Sequence, residues 1–140
     1  MRVLHSLEET ERFAAALSRV IQPGDSVSLI GGLGAGKTTF TRALVHALGG
    51  PADVTSPTYV LEHEYPIPGR FVVRHWDLYR LGAPPLELCE PPTPGEIRLV
   101  EWADKFPELL QHSELVLRFS TLDEGRREVR WSGIRGASLE

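Results

Sequence analysis

Several residue types and patterns that mark other classes of protein are scarce or missing. Cys89 is the single cysteine, which excludes an internal disulfide framework and a cysteine-rich zinc site. No apolar run approaches the roughly 18 residues of a membrane-spanning helix. Fifteen basic residues against nineteen acidic ones leave a net charge of −4, so no general attraction to nucleic acid is expected. We therefore expect a cytoplasmic protein that makes no membrane contact.

Lysine is rare and asparagine is absent. Lys37 and Lys105 are the only lysines, because nearly all basic residues are arginine. Because lysine is so rare, its presence inside a glycine-rich loop is less readily explained by chance. Without asparagine the chain lacks the Asn-Lys-x-Asp motif with which GTPases recognise guanine, and it has no Asp-x-x-Gly switch. Any nucleotide site is therefore expected to bind ATP rather than GTP.

A phosphate-binding loop is the strongest motif. Residues 31–38 read Gly-Gly-Leu-Gly-Ala-Gly-Lys-Thr, after a strand-like apolar run at 27–30 and at the start of a helical pattern at 37–48. Glycines let the backbone wrap so that amide N–H groups point at a phosphate chain. In such a loop Lys37 reaches the outer phosphates and the Thr38 hydroxyl ligates Mg²⁺. Strand, loop and helix together predict a Mg²⁺-nucleotide site.

The remaining pattern predicts one α/β domain. Ser6 opens a capping box before a first amphipathic helix, and the proline-rich stretch 82–95 excludes a regular helix. The other predicted elements are a hairpin of strands at 59–65 and 70–76, a strand at 97–100, a short helix at 104–110, and strands at 115–119 and 128–131. We expect a P-loop NTPase-like three-layer domain over residues 1–135, with a mixed, mainly parallel sheet flanked by helices, and a frayed tail at 136–140.

A Mg²⁺-nucleotide site also needs a carboxylate at the end of a neighbouring strand. Asp77 follows the strand-like run 71–76, and Glu101 follows the run 97–100, so both can emerge at the sheet edge that carries the phosphate loop. The spacing does not rank the two acids. Trp102, next to Glu101, either contacts the nucleotide or packs in the core.

Two further groups of polar side chains have more than one interpretation. Thr55, Ser56 and Thr58 are compatible with a segment that senses the terminal phosphate, although their composition favours a simple turn. The five histidines have no metal-ligand spacing, so we expect them to be solvated or hydrogen-bonded and predict no zinc site.

Four segments taken together resemble the bacterial TsaE (YjeE) family, the ATPase component of the tRNA threonylcarbamoyladenosine machinery. They are residues 32–39, 54–58, 75–81 and 99–102, and their order and spacing match the family. Ser6 with Thr10 resembles the family's N-terminal signature. The loop motif is shared by many families, whereas the other three segments together are specific.

The resemblance implies a set of ligand contacts and roles. The residues implied in ATP binding are Gly32, Leu33, Gly34, Ala35, Gly36, Lys37, Thr38, Thr39, Thr10 and Trp102. Mg²⁺ is implied at Thr38 and Glu101, and Asp77 is implied as an essential acid. Catalytic roles thus fall on Asp77, Glu101 and Lys37, with a switch-like segment at 55–58.

The resemblance also implies how the protein works. Hydrolysis is expected to be slow in the isolated chain, and the working form is expected to be a complex with the transferase subunits TsaB and TsaD. The ATP cycle would reset that complex between rounds of tRNA modification, with tRNA contacted indirectly. Residues 82–98 depart from the family, because a shortened, proline-rich stretch replaces an acidic helical one.

Two other functions are compatible with the loop. A small-molecule P-loop kinase needs a lid that carries arginine or lysine, and residues 81–97 contain neither. A binding module would hold nucleotide without turnover, its bound state gating assembly with a partner. Arg80 is the nearest candidate for an arginine finger, so very low turnover is expected from the isolated chain.

Overall fold

A seven-stranded sheet flanked by helices is seen in a computed structural model that describes residues 1–32, 34–51 and 61–139. The strands are β1 (Arg2–Leu4), β2 (Ser26–Ile30), β3 (Glu62–Ile67), β4 (Phe71–Asp77), β5 (Glu96–Glu101), β6 (Leu115–Asp123) and β7 (Arg126–Ser132). The helices are α1 (Leu7–Ser18), α2 (Lys37–Ala47) and α3 (Pro107–Gln111). Leu33 and the predicted phosphate-sensing segment at 55–58 lie outside the described residues.

Parallel pairing is confined to the centre of the sheet, whose strand order is β1-β7-β6-β2-β5-β4-β3. Strands β6, β2, β5 and β4 pair parallel to one another. The predicted hairpin adds β3 antiparallel to β4 at one edge, and β7 and β1 pair antiparallel at the other. The predicted mixed α/β sheet is confirmed. Strand β1 was not predicted, because three residues are too few to show an alternating pattern.

One face of the sheet packs against α1 and α2. Half of the predicted capping box forms: Ser6 Oγ accepts a hydrogen bond of 3.2 Å from the Glu9 N–H and satisfies one of the free donors at the start of α1, whereas the Glu9 carboxylate accepts from the His5 N–H, at 3.1 Å, rather than from Ser6. Phe13 of α1 and Phe40 of α2 are fully buried, with ring centroids 5.7 Å apart. The helices therefore shield the apolar side chains of the central strands and hold the start of α2 against β2. No described helix combines the length and apolar character that a membrane span requires.

The opposite face is covered by short elements. The predicted helix over 104–110 is divided into a 3₁₀ turn at Ala103–Lys105 and helix α3. Pro107 has no N–H with which to continue a helix from the preceding turn, but it is well suited to the first position of a new helix, where that N–H is not needed. The proline-rich stretch contains one 3₁₀ turn at Leu86–Cys89. Arg98 of β5 holds this stretch to the sheet by donating from Nη1 to the Glu90 carbonyl at 2.6 Å.

The C-terminal end is packed where the sequence predicts fraying. Gly136–Leu139 form a 3₁₀ turn, and Leu139, only 6% exposed, lies in the core beside α1 and α2. Arg135 donates to both carboxylate oxygens of the buried Asp25, at 2.9 and 3.1 Å. The expectation of a frayed tail is therefore wrong for residues 136–139, because one long-range ion pair and one apolar side chain anchor them.

Candidate functional site

The glycine loop turns the chain from β2 into α2. Gly34 and Gly36 have φ angles of 77° and 103°, in the left-handed region that favours glycine. Gly36 is the N-cap residue of α2, so the helix begins with Lys37. The first amide N–H groups of a helix have no acceptor within it. At this position they are available, together with the positive end of the helix dipole, for an anion.

A cleft of about 450 Å³ opens between this loop and the ends of strands β4 and β5. The residues that line it are Gly34, Gly36, Lys37, Thr38, Thr39, Asp77, Tyr79, Arg80, Glu101, Trp102 and Arg127. The structure thus brings together the predicted phosphate-binding side chains and both predicted acids. Of the predicted residues, Gly32, Ala35 and Thr10 do not line this cleft, and Leu33 is outside the described residues.

Glu101 is the last residue of β5 and the most enclosed acid of the cleft, with 3% exposure. Its Oε1 lies 3.6 Å from Lys37 Nζ, and its Oε2 lies 2.5 Å from His75 Nε2. Asp77 ends the neighbouring strand β4 and pairs with Glu101 in the register of the sheet. The two acids emerge at the same edge of the sheet as the loop, as the strand pattern predicts.

Lys37 is a buried cation whose donors are not used. The residue is 5% exposed, and its Nζ has no hydrogen-bond partner among the described residues. Burial lowers the pKa of Lys37, since desolvation outweighs the attraction of Glu101 and Asp77. A buried ammonium with unsatisfied donors is unfavourable unless an anion completes its shell. The site therefore fits a phosphate chain.

Asp77 and Thr38 differ from Glu101 in being half-buried. One oxygen of Asp77, Oδ1, accepts a hydrogen bond of 2.9 Å from the Tyr79 N–H and fixes the turn after β4. Mg²⁺ bound with a nucleotide takes only one or two protein oxygens, because phosphate and water complete its shell. The Thr38 hydroxyl and a carboxylate at this edge are oxygen donors of that kind.

Trp102 forms a wall of the cleft and also packs against a second apolar cluster, which consists of Trp76, Leu78, Leu88, Val100, Ala103, Phe106 and Leu109. Its backbone has φ of 63°, a left-handed conformation that is unfavourable for a bulky residue and frequent at functional sites. Lys37 Nζ lies 4.3 Å from the centroid of the indole ring. Tyr79 contacts the same indole, with centroids 4.8 Å apart, and Lys105 donates to the Tyr79 carbonyl at 2.6 Å. Core packing is therefore confirmed for Trp102, and its contact with a nucleotide stays a prediction.

Thr10 lies in a neighbouring cleft of about 190 Å³ on the other side of the loop. This smaller cleft is also lined by Gly36, Thr39 and Arg127, and apolar side chains of β1, α1 and β6 complete it. The hydroxyl of Thr10 donates to the Ser6 carbonyl at 3.3 Å. Gly36, Thr39 and Arg127 line both clefts, so the two clefts adjoin at the loop.

Sequence reasoning did not identify Arg127 or His75. Arg127 lies on β7 and lines both clefts. Its Cγ lies about 3.8 Å from the point where a Cβ would stand if Gly36 had one. No local pattern relates an arginine on β7 to a loop about 90 residues earlier in the chain. His75 could have been noticed, because on a strand it shares a face with Asp77, two residues later. The expectation of a hydrogen-bonded histidine holds for it.

The chain resembles known proteins in family profile, sequence and structure. The profile of the family described as threonylcarbamoyl adenosine biosynthesis protein TsaE matches residues 4–129. The tRNA threonylcarbamoyladenosine biosynthesis protein TsaE of Rickettsia felis is 37% identical over 131 residues, which cover 91% of this chain and 76% of that protein. The protein of that name from Aquifex aeolicus is 36% identical, over 91% and 92% of the two chains. The crystal structure of Bacillus subtilis YdiB has a TM-score of 0.73 at 27% identity, over 99% of this chain and 91% of that one.

Proposed function

The chain belongs to the TsaE family of tRNA threonylcarbamoyladenosine biosynthesis, and on this premise we propose that it binds Mg²⁺-ATP and hydrolyses it slowly. The observation that carries the proposal is the buried Lys37 at the head of α2, whose Nζ lies in an ion pair with Glu101 and makes no hydrogen bond to the described residues. A cation in that place is costly in the free protein and becomes favourable when phosphate oxygens reach it.

Different residues of the cleft have different roles in the proposed function. Loop amides and Lys37 hold the phosphates, and the Thr38 hydroxyl and Glu101 hold Mg²⁺, which neutralises phosphate charge when bound. Asp77 accepts a hydrogen bond from the metal's shell or from the attacking water and so orients it. The nucleoside extends toward the smaller cleft, where Thr10, Thr39 and Arg127 contact it.

The proposed biological role depends on partners. ATP hydrolysis resets a complex with the transferase subunits TsaB and TsaD between rounds of threonylcarbamoyl transfer to tRNA adenosine. We expect slow turnover by the isolated chain, because Arg80, the nearest candidate for an arginine finger, is an exposed side chain at the cleft. Phosphoryl transfer is accelerated by a positive charge near the phosphate on which negative charge develops. We propose that a partner subunit supplies this positive charge.

Nucleotide binding is tested by calorimetric titration of ATP, ADP and GTP, in Mg²⁺ and in EDTA. Since a hydrogen bond to a charged group contributes about 1.5–3 kcal/mol, Lys37→Ala should weaken ATP binding about 10- to 100-fold. Lys105→Ala is the matched control and should bind ATP nearly as the parent protein does, because Lys105 does not itself line the cleft and donates only to the backbone carbonyls of Tyr79 and Leu81. Equal binding by both variants, or GTP binding as tight as ATP binding, would refute the assignment.

A further inference from the structure

His75 is a buried imidazole that the proposed mechanism does not yet use. It lies on β4, two residues before Asp77, and its side chain is 0% exposed. It does not line the cleft. Its ring packs near Tyr65, with centroids 6.2 Å apart, and its Nε2 lies 2.5 Å from Glu101 Oε2. Within the described part of the chain, the imidazole therefore contacts the site through Glu101 alone.

The proposed metal-binding role sets the direction of this hydrogen bond. A carboxylate that binds a metal is ionised and only accepts, so in that role of Glu101 the Nε2–H of His75 is the donor. Nδ1 has no partner among the described residues, which means that no second contact competes for the orientation of the ring. The bond occupies Oε2 of Glu101 and leaves Oε1, the oxygen 3.6 Å from Lys37 Nζ, on the cleft side.

We propose that His75 is a positioning residue that holds Glu101 in the rotamer that binds metal, with Oε1 presented to Mg²⁺. The inference rests on the proposed Mg²⁺-ATP function. A carboxylate held by a second side chain loses less freedom when it takes up a metal, which is the general role of groups bonded to metal ligands. When Lys37 turns to the phosphates, His75 keeps Glu101 in place for the cation.

The contrast between two amide variants separates this role from packing. In His75→Gln the amide Nε2 replaces the imidazole Nε2 at a similar reach from the backbone, whereas in His75→Asn the amide is too short to reach Glu101. His75→Phe keeps the ring and removes the donor. All three are first checked by thermal unfolding, and ADP binding is measured in EDTA, where the metal plays no part.

Metal affinity is then measured with Mn²⁺ as the probe, by electron paramagnetic resonance in the presence of ADP. We expect His75→Asn and His75→Phe to lose about 10- to 100-fold in Mn²⁺ affinity. His75→Gln should retain most of the affinity, and all three should bind ADP in EDTA as the parent protein does.

The opposite results refute the inference. Equal Mn²⁺ affinity in all variants, or equal losses in His75→Gln and His75→Asn, would show that the imidazole acts only as packing. If His75→Phe does not fold, the two amide variants decide. If the parent protein binds ADP in EDTA but gains no Mn²⁺ site, both the inference and the metal part of the proposed function fail. If it binds no nucleotide, the proposed function itself fails.

Discussion

The substitution Lys37→Met should stabilise the nucleotide-free protein while it weakens nucleotide binding. Methionine has nearly the length of lysine and no charge, so it can occupy the same buried path. The change removes a cation whose desolvation outweighs its attraction to Glu101 and Asp77. It also removes a buried ammonium that makes no hydrogen bond to the described residues. Glu101 keeps the hydrogen bond from His75, so its carboxylate is not left without a partner.

The size of the effect follows from opposed contributions. An unsatisfied buried polar group costs about 1–3 kcal/mol. The lost contact with the Trp102 ring, at 4.3 Å, opposes this by about 0.5–2 kcal/mol, and the lost ion pair at 3.6 Å opposes it further. Because the pKa of Lys37 is lowered overall, we expect a net rise of about 1 kcal/mol in the free energy of unfolding. For a chain of this size that is a rise of about 2–5 °C in Tm.

Thermal and urea unfolding without nucleotide measure this, with Lys105→Met as the matched control. Lys105 donates to two carbonyls at 2.6 and 2.9 Å, so its loss should lower stability by about 1 kcal/mol or less.

The lowered pKa of Lys37 also determines how the free energy of unfolding changes with pH. Between the lowered pKa of Lys37 and its usual 10.5, the unfolded chain binds the proton and the folded one does not. The parent protein therefore gains stability there, and the advantage of Lys37→Met shrinks. A less stable Lys37→Met variant would refute the reasoning.

Three further changes test other parts of the structure. Leu139→Ala should cost about 2–4 kcal/mol in urea unfolding, because the side chain is buried in the core, while Leu86→Ala, at an 86% exposed position, should change stability by less than about 0.5 kcal/mol. Equal effects would contradict the packed C-terminal turn. Arg127→Ala should weaken ADP binding in EDTA about tenfold, and Arg130→Ala on the same strand should not, as measured by calorimetry. Trp102→Phe should abolish the change in tryptophan fluorescence that ADP binding causes, since Lys37 leaves the indole; an unchanged signal would place the reporter elsewhere.

The parts of the site that sequence predicts are those set by local patterns. Residues 31–38 contain the glycines that the left-handed turns require, and the strand before and helix after them follow from apolar periodicity. The position of Asp77 and Glu101 at one edge follows because each ends a predicted strand. That these strands are direct neighbours, in register, is a property of the sheet that no local pattern contains.

The missed features depend on contacts between distant residues. The His75–Glu101 hydrogen bond joins residues 26 apart, and its length depends on the pairing of β4 with β5. Arg127 reaches the loop only because β7 turns back beside β6. Leu139 is one apolar residue in a small, polar end segment, so its burial could not be predicted from hydrophobicity. The wrong expectation of a frayed tail has this cause.

The central claim is tested most directly by ATP turnover with purified protein, alone and with the TsaB and TsaD subunits from the same source. Lys37→Ala and Glu101→Ala serve as inactive variants, and Lys105→Ala as the matched active one. We expect slow turnover that rises with the partners and is lost in both inactive variants. If ATP binds but is not hydrolysed in any mixture, the account is contradicted and the chain is a nucleotide-gated binding module instead.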